Sequence, residues 1–270
     1  MSRLIIEAGR AERNYWRDLW RYRELFLTLA WRDLAVRYRQ TVIGVAWAIV
    51  RPVVPLVIFS VLFGRLGRFP SAGVPYPLFV FVAMLPWQFF ASALAEAGGS
   101  LVENERLISK IYFPRLVVPA SAVIVSFVDF LICAVLLVVL LAWYQFIPPW
   151  QIVSLPAFVA LAFFAALGPG LILTTLNVSY RDFRYVIPFI VQVGLYLSPV
   201  GFGSEVVPGP WRLLYSLNPM VGVIDGFRWA ICGTPLYWPS LLLSVVVTAV
   251  LLAVGVTSFR KMERGFADVI

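Results

Sequence analysis

The sequence predicts an all-α membrane protein with six transmembrane helices, and three observations lead to this fold class. Of its 270 residues, 61% are apolar and only 13% are charged, whereas soluble domains are about half apolar and about a quarter charged. The mean hydropathy is +0.87. The apolar residues are concentrated in runs of about 20, the length that a helix needs to cross a bilayer. The excess of apolar residues is therefore expected to face lipid.

The six predicted spans follow one another with polar connections between them. They cover approximately residues 41–63, 78–98, 116–143, 152–178, 186–202 and 238–259. The first span contains Pro52 and Pro55, which interrupt the backbone hydrogen bonds and permit a kink. The fifth span is short and contains Pro188 and Pro199, so we expect it to be tilted, kinked or partly re-entrant.

The positive charges are distributed unequally between the two sides of these spans. Seventeen of the 22 lysines and arginines lie in the N-terminal segment, the second–third and fourth–fifth loops and the C-terminal tail, and four lie on the other side. Lysine and arginine favour cytoplasmic loops. The pattern therefore predicts a multi-pass protein with both termini in the cytoplasm.

Residues 1–40 are predicted to form two amphipathic helices at the membrane interface. The first has arginines at helical spacing on one face: Arg10, Arg13, Arg17 and Arg21. The second has an apolar stripe: Leu27, Trp31, Leu34 and Tyr38. Two interpretations stay open for these helices. They are a membrane-surface anchor, or Arg32, Arg37 and Arg39 bind a phosphate-bearing lipid headgroup, since the planar arginine fork suits phosphate oxygens.

Polar residues inside the spans are candidates for a translocation path. Arg51 lies near the middle of the first span, where a charge costs about 2.5–3.5 kcal/mol, and Asp129 of the third span is its candidate partner. A structural ion pair or snorkelling of Arg51 toward the interface, and a role in the path, are equally compatible with this pattern. Trp47, Gln192 and Tyr196 are further channel candidates. The alternative for the aromatic residues is the ordinary belt at the membrane interface.

Two connecting segments have more pattern than a plain loop. Residues 100–115 mix charged and apolar residues at helical spacing, as in a short surface helix that contacts a partner. A shorter cytoplasmic contact is predicted at 180–186. On the outer side, residues 203–235 predict two short helices separated at Asn218-Pro219, which could re-enter the membrane if protein covers them.

The chain lacks the motifs of nucleotide hydrolysis and of common hydrolases. It has no histidine, no GxxxxGK[ST] phosphate loop and no HExxH or GxSxG sequence. We therefore expect no catalytic residue, metal site or cofactor on this chain. If transport is driven by ATP, a separate subunit must bind ATP and Mg²⁺.

Several stretches together resemble the permease subunits of ABC-2 polysaccharide exporters, the Wzm-type O-antigen and TagG-type teichoic acid transporters. These stretches cover nearly the whole chain in order: RDLAVRYRQTVIGVAWAIVRP, PYPLFVFVAMLPWQFFASAL, LISKIYFPRLVVP, NVSYRDFRYVIPF, LSPVGF, LNPMVGVIDGFRW and FRKMERGFADVI. Each stretch is weakly specific, and the ordered series is strongly specific. Arg51 departs from the glutamine that many members carry before the first-span proline.

The resemblance implies a bacterial inner-membrane permease that works as a homodimer with two cytoplasmic ABC ATPase subunits. Its substrate would be an undecaprenyl-diphosphate-linked glycan, such as an O-antigen, a capsule-like glycan or a teichoic acid, with membrane lipids around it and no nucleic-acid partner. Residues 1–40 would form the gate for the lipid diphosphate, and residues 41–270 would form the six-span domain. The helices around 213–231 would form a periplasmic gate.

By the same resemblance, a coupling helix near residues 100–113 would dock on the ATPase. The residues assigned to this contact, which include two from the fourth–fifth loop, are Glu103, Glu105, Arg106, Ile108, Tyr112, Arg181 and Asp182.

Two other functions compete with polysaccharide export as interpretations of this sequence. An ABC-2 permease for a small molecule or drug is the alternative within the transporter class, and the family-like series with the basic N-terminal helices argues against it. A membrane enzyme of lipid or glycan synthesis is the alternative from another class. The absence of histidine and of clustered carboxylates argues against that enzyme.

Overall fold

The computed structural model describes residues 15–39, 44–108, 110, 113–180, 182–263 and 266, and the regular elements in these segments are helical. Two helices come first, α1 (Tyr15–Arg21) and α2 (Arg23–Arg39), with Tyr22 as a turn between them. They correspond to the two helices predicted for the N-terminal segment. The residues of the predicted first helix that precede Tyr15 lie outside the described part of the chain.

Within the described part of the chain, four helices are long and apolar enough to cross a membrane. They are α4 (Tyr76–Glu103), α6 (Val117–Trp143), α7 (Leu155–Ser179, after a 3-10 segment Trp150–Ser154) and α11 (Trp238–Met262). They confirm the second, third, fourth and sixth predicted spans as long apolar helices.

Shorter apolar helices occupy the positions of the first and fifth predicted spans. The first is α3 (Gly44–Phe59), which continues as a π-helical segment Ser60–Leu66, and the fifth is α8 (Phe183–Tyr196). The fifth was predicted to reach residue 202. Instead the chain turns after Tyr196, because Pro199 cannot continue the helical hydrogen bonds.

Helix α4 is the centre of the bundle. In its most apolar 18-residue window 78% of the residues are buried, against 22% in α11. It packs against α3, α6, α7 and α8. Phe89 of α4 contacts the rings of Phe127 and Phe130 of α6 and Phe163 of α7. The core therefore lies around α4, and α11 is left with most of its surface outward.

Helices α7 and α11 approach each other closely enough for their backbones to touch. A Cβ atom on Gly255 would lie 2.4 Å from the carbonyl oxygen of Gly168, and one on Gly168 would lie 2.7 Å from the amide nitrogen of Leu252. Small residues allow this close packing between membrane helices.

Two further helices follow α8: α9 (Gly209–Tyr215) and α10 (Pro219–Cys232). The end that carries them is called the outer end. They confirm the break predicted at Asn218-Pro219, since the Asn218 side chain accepts a hydrogen bond from the Met220 amide at 3.0 Å and Pro219 occupies the first helical position. Gly233, with φ 72°, terminates α10. Most residues of α10 are buried. Its re-entry into the membrane stays a prediction.

The opposite, inner end of the bundle carries α1, α2 and the segment after α4. The predicted helix near 100–113 is divided: α4 continues to Glu103, Asn104 forms a turn, and α5 (Glu105–Ile108) is a single helical turn. Leu29 of α2, Ile108 of α5 and Phe259 of α11 belong to one buried cluster. This cluster joins the loop to the N-terminal helices and to the end of the chain.

Helix α2 packs against α6 along one face. Leu29 and Ala30 are buried, whereas Leu27 is 61% exposed and Trp31 is 72% exposed. The predicted apolar stripe therefore does not pack on the bundle at these two positions. It faces outward, which is the side that lipid would cover.

Candidate functional site

A cavity of about 650 Å³ lies among α2, α3, α4, α6 and α8. Most of its wall is apolar or aromatic, with Met84, Trp87 and Phe89 from α4 and Phe130 from α6. Arg37, Glu96 and Asp129 make part of the same wall charged. The cavity therefore combines an apolar surface with an ionic one.

A second pocket, of about 550 Å³, lies between α2, α4 and α6. It is lined by polar residues of the inner end, among them Arg32, Asp33 and Glu103. Arg37 and Glu96 line both spaces. These two side chains therefore stand at the boundary between the inner pocket and the larger cavity.

Arg37 joins three helices at this boundary. Its guanidinium donates to the Oδ2 atom of Asp129 in α6 at 2.6 Å, and its other terminal nitrogen donates to Oε1 of Glu96 in α4. The Tyr38 hydroxyl donates to the second oxygen of Asp129. The side chains are partly buried, with 28% of Arg37, 24% of Asp129 and 41% of Glu96 exposed. We call these four residues the Arg37 cluster.

Arg37 and Tyr38 of this cluster both have raised pKa values. Burial by itself lowers the pKa of Arg37, but the nearby carboxylates of Glu96 and Asp129 outweigh it and raise the pKa above the ordinary arginine value. Burial and then the hydrogen bond to the Asp129 carboxylate raise the pKa of Tyr38 well above its usual range. Arg37 therefore stays cationic, and Tyr38 stays a neutral hydrogen-bond donor.

Arg32 lies one and a half turns earlier on α2, at the rim of the inner pocket. It pairs with Asp33 at 2.7 Å, and a terminal nitrogen donates to the side-chain oxygen of Asn104 at 2.8 Å. Its side chain is 45% exposed. Arg32 therefore links α2 to the turn between α4 and α5, and it is much more open to solvent than Arg37.

A second arginine cluster lies at the outer end. Arg228 of α10 is 2% exposed. Its guanidinium donates to the carbonyl oxygens of Phe202 at 2.8 Å and Val200 at 2.9 Å, and it lies 3.8 Å from the centre of the Phe79 ring. These contacts fasten the turn after α8 to α10 and to the start of α4.

The outer cluster contains Arg228 and also Ser204, Asp225 and Arg212. The Ser204 hydroxyl donates to the Asp225 carboxylate at 2.5 Å and accepts a hydrogen bond from Arg212 at 3.0 Å. Arg212 in turn stacks on the Tyr237 ring at 4.4 Å. Arg228 lines neither of the two spaces described above.

Comparison with known families identifies this arrangement of helices. The model of the ABC-2 type transporter family matches residues 24–232, which is most of the chain. The chain belongs to the ABC-2 type transporter family. It is therefore the membrane component of an ABC transporter, in which nucleotide is hydrolysed by a separate subunit.

Several curated relatives of this transporter chain have similar length. The O-antigen export system permease protein RfbA of Myxococcus xanthus is 27% identical over 215 residues, which cover 78% of this chain and 82% of the relative. A protein with the same name from Klebsiella pneumoniae is 25% identical over 92% of this chain and 95% of its own length. The polysialic acid transport protein KpsM of Escherichia coli is 23% identical over 86% and 91%.

The transporter's predicted headgroup residues lie on one helix but differ in their surroundings. Arg32 and Arg37 both line the inner pocket. The side chain of Arg39 lies outside the described part of the structure. Both described arginines contact carboxylates, so an incoming anion would have to compete for them.

The predicted channel residues are not all brought together within one copy of the transporter chain. Asp129 lines the cavity, but Gln192 and Tyr196 lie on the exposed side of α8. The side chains of Trp47 and Arg51 lie outside the described part. The pair predicted between Arg51 and Asp129 therefore stays a prediction, and the described partners of Asp129 are Arg37 and Tyr38.

The residues assigned to the ATPase contact are mostly exposed. Glu103, Glu105, Arg106 and Asp182 lie at the surface, whereas Tyr112 and Arg181 lie outside the described residues. Ile108 is the exception, since it is only 5% exposed and belongs to the inner-end cluster. Its place in the ATPase contact stays a prediction, and its side chain is part of the buried cluster rather than of the exposed surface.

Glu96 is the site residue that sequence analysis missed. It is an acidic residue inside the second predicted span, and a charge within a span is costly unless it has a partner or a cavity. That signal was available from the sequence. Its partner Arg37 lies 59 positions away, on a helix outside the predicted spans.

Proposed function

We propose that this chain is the permease of an ATP-driven exporter that carries a lipid-diphosphate-linked polysaccharide across the bacterial inner membrane. The observation that carries this proposal is the end-to-end match to a relative named as an O-antigen export permease, over 92% of this chain and 95% of the relative. The relative named for polysialic acid transport also matches over most of its length. Two kinds of exported polysaccharide are thus represented among the relatives.

The proposed assembly contains two copies of this chain and two cytoplasmic ATPase subunits that bind ATP and Mg²⁺. The size of the cavity supports a second copy, because about 650 Å³ is the volume of a site for a small molecule rather than for a glycan chain. A path between two copies would also give the exposed Gln192 and Tyr196 of α8 a role as channel wall. In that arrangement, α3 and α8 are proposed to cross the membrane as the first and fifth of six spans.

The lipid headgroup is proposed to bind at α2, with residues 1–40 as the gate and residues 41–270 as the transmembrane domain. The inner pocket supports this, because Arg32 and Arg37 both line it. An arginine fork binds phosphate oxygens in a bidentate manner. The outward-facing Leu27 and Trp31 would hold the same helix at the lipid interface.

The ATPase is proposed to dock at the inner end, on the exposed residues around Glu105 and Asp182. The buried cluster supports transmission from this surface, since both Ile108 of α5 and Leu29 of α2 belong to it. A displacement of α5 would therefore act on the helix that carries Arg32 and Arg37. Both chain termini are proposed to lie in the cytoplasm.

Deletion of the gene in its own host tests this function directly. The expected result is loss of a surface polysaccharide together with accumulation of its lipid-linked form inside the cell, and plasmid-borne wild-type protein restores export. Normal surface polysaccharide in the deletion strain would overturn the proposal. If that strain instead becomes sensitive to a toxic small molecule, the small-molecule exporter is the better assignment.

Purification of the tagged chain from the same host tests the assembly. We expect an ATPase subunit to co-purify and its ATP hydrolysis in nanodiscs to rise when the lipid-linked glycan is added. The matched variant pair is Arg37→Gln, which should weaken this stimulation, and Arg23→Gln, an exposed arginine of the same helix, which should not. Equal stimulation in both variants would contradict the headgroup role of Arg37.

A further inference from the structure

The segment after α11 makes polar contacts that belong neither to the two spaces nor to the outer cluster. It is part of FRKMERGFADVI, the last of the family-like stretches, to which the resemblance gives no role. Helix α11 ends at Met262, and Glu263 and Phe266 follow it in the described part of the chain. Phe266 is 2% exposed and packs edge-on against Phe259 of α11, with 5.3 Å between the ring centres. This part of the tail is therefore packed into the inner end of the bundle.

Glu263 is bonded twice to Arg115, which lies 148 positions earlier, between α5 and α6. The backbone amide of Arg115 donates to Oε1 of Glu263 at 2.6 Å, and the Arg115 guanidinium donates to the backbone carbonyl of Glu263. Leu116, the N-cap residue of α6, supplies no side-chain acceptor. A negative charge at the start of a helix also suits the helix dipole. Glu263 therefore supplies the acceptor and the charge at the start of α6 from a distant part of the chain.

The same carboxylate lies next to the first N-terminal helix. Burial, and then the negative charge of Glu263, raise the pKa of Tyr15 in α1, so these two side chains are neighbours. The Arg260 guanidinium of α11 lies 4.8 Å from the centre of the Tyr15 ring. Glu263 therefore stands where α1, the start of α6 and the end of α11 meet.

The segment that Glu263 holds comes directly after the proposed ATPase contact. Ile108 of α5, Phe113 and Leu116 are buried in the cluster that also contains Phe259 and Phe266. A displacement of α5 reaches α6 and α1 only as far as the connection between them resists deformation. Apolar contacts are not directional and permit sliding, whereas hydrogen bonds fix both distance and orientation. The two bonds between Glu263 and Arg115 therefore set the position of the start of α6.

We propose that Glu263 is a positioning residue for coupling, which holds α1 and the start of α6 to the ATPase-facing segment so that they move together with it. Movement driven by ATP would then reach α6, which carries Asp129 of the Arg37 cluster. The inference rests on the proposed function, because it takes the exposed residues around Glu105 and Asp182 as the ATPase contact. It gives a role to the tail, which lines neither of the two spaces.

The experiment measures ATP hydrolysis by the full-length chain with its ATPase subunit in nanodiscs. Each variant is measured with and without a lipid extract of the deletion strain, in which the lipid-linked glycan accumulates. Export is measured as the surface polysaccharide that each plasmid-borne variant restores to the same strain. Glu263→Ala removes the acceptor of the Arg115 amide, whereas Glu263→Gln keeps an oxygen acceptor there and removes only the charge.

Ser244→Ala is the matched control on the same helix. The buried Ser244 hydroxyl accepts a hydrogen bond from the Gly222 amide of α10 at 3.1 Å. This substitution therefore also removes a side-chain acceptor from a backbone amide, but it does so at the contact of α11 with α10. Arg115→Met removes only the guanidinium bond to the Glu263 carbonyl, and it keeps the test decisive if Glu263→Ala does not assemble.

We expect Glu263→Ala to lower both the stimulation by the extract and the surface polysaccharide about fivefold, which corresponds to the loss of one hydrogen bond. Basal ATP hydrolysis of the assembled complex should stay within about twofold, because the nucleotide site lies on the other subunit. Arg115→Met should lower the stimulation about threefold. Glu263→Gln and Ser244→Ala should lower it by less than about 1.5-fold.

The outcomes separate this inference from the function on which it rests. Undiminished stimulation in Glu263→Ala, or in Arg115→Met where Glu263→Ala does not assemble, would overturn the coupling role. Equal loss in Glu263→Gln, which keeps the acceptor, or in Ser244→Ala, which would indicate general destabilisation, would overturn it as well. In each of these cases the exporter assignment stands as long as the wild type is stimulated and restores surface polysaccharide. If the wild type does neither, the proposed function is overturned, and this inference falls with it.

Discussion

Arg37 at the inner end and Arg228 at the outer end are both withdrawn from solvent, yet the structure holds them in opposite ways. Arg37 is bound by side-chain carboxylates from two helices and borders two spaces. Arg228 is 2% exposed and is bound by the backbone carbonyls of Val200 and Phe202. The first arginine can exchange partners by side-chain rotation, whereas the second can lose its partners only if the chain itself moves.

This difference distinguishes an adaptable region of the molecule from a rigid one. Backbone carbonyls in a dry interior have no alternative donor, so an arginine that satisfies them is a fixed part of the fold. Carboxylates beside a polar pocket can turn toward water. The inner end is therefore the adaptable region, and the outer end is the rigid one.

The largest effect is expected from Arg228→Met, which should destabilise the outer end. The substitution keeps an apolar chain but leaves the carbonyls of Val200 and Phe202 without a donor, at a cost of about 3 kcal/mol. The unfolding temperature of the purified protein should therefore fall by about 10 °C. It can be measured by the loss of the monodisperse gel-filtration peak after heating.

Arg212→Met is the matched control for this prediction. Arg212 is only partly buried and bonds to Ser204 at the edge of the same cluster, so its loss should cost about 1 kcal/mol. Equal destabilisation by the two substitutions would show that Arg228 has no special place in the outer end.

The next effect is expected at the adaptable end, where Arg37→Gln should open the boundary without unfolding the protein. Cys133 lines the larger cavity, so in a Cys232→Ser background its modification by a membrane-impermeant, cationic thiol reagent reports access. Loss of both ion pairs should accelerate this modification about tenfold. The unfolding temperature should change by less than about 3 °C.

Two controls accompany the access measurement. Arg23→Gln removes the same charge from an exposed position of α2 and should leave the rate unchanged. Glu96→Gln should also accelerate modification. Loss of this carboxylate by itself reduces the attraction of a cationic reagent, so an acceleration would be strong evidence that the ion pair limits access to Cys133. Asp129→Asn is unsuitable, because Asp129 lies one helical turn from Cys133 and would alter the thiol directly. A rate for Arg37→Gln equal to that of the wild type would contradict the boundary role.

The same contrast explains what sequence analysis could and could not predict. The positions of α4, α6, α7 and α11 follow from runs of apolar residues, and the start of α10 follows from the capping of Asn218-Pro219. Arg37 and Asp129 lie 92 positions apart, and periodicity gives the face of a helix but not its neighbour. The sequence pairs Asp129 with Arg51 because both lie within predicted spans. Arg228 is one of the four positive charges that the sequence places on the other side of the spans, and it is buried.

A change in salt concentration should have a smaller effect, and it should affect the two ends differently. Raising the salt from about 0.1 M to about 1 M shortens the screening length from about 10 Å to about 3 Å. Modification of Cys133 should then accelerate about twofold in the wild type and not at all in Arg37→Gln, where the ion pairs are already absent. The difference in unfolding temperature between the wild type and Arg228→Met should be the same at both salt concentrations. Acceleration by salt in Arg37→Gln would show that other charges close the cavity.

The smallest effect is expected from Arg32→Gln, although Arg32 lies on the same helix as Arg37. Arg32 is 45% exposed and contacts Asp33 and Asn104 at the rim of the inner pocket, where ion pairs contribute about 0–1 kcal/mol. The unfolding temperature should change by less than about 2 °C, and Cys133 modification by less than about twofold. A larger acceleration would show that the link between α2 and the turn before α5 also controls access to the larger cavity. The boundary between the two spaces would then include the rim of the inner pocket. The adaptable region would in that case include the loop proposed to contact the ATPase, and opening of the cavity would follow directly from movement of that loop.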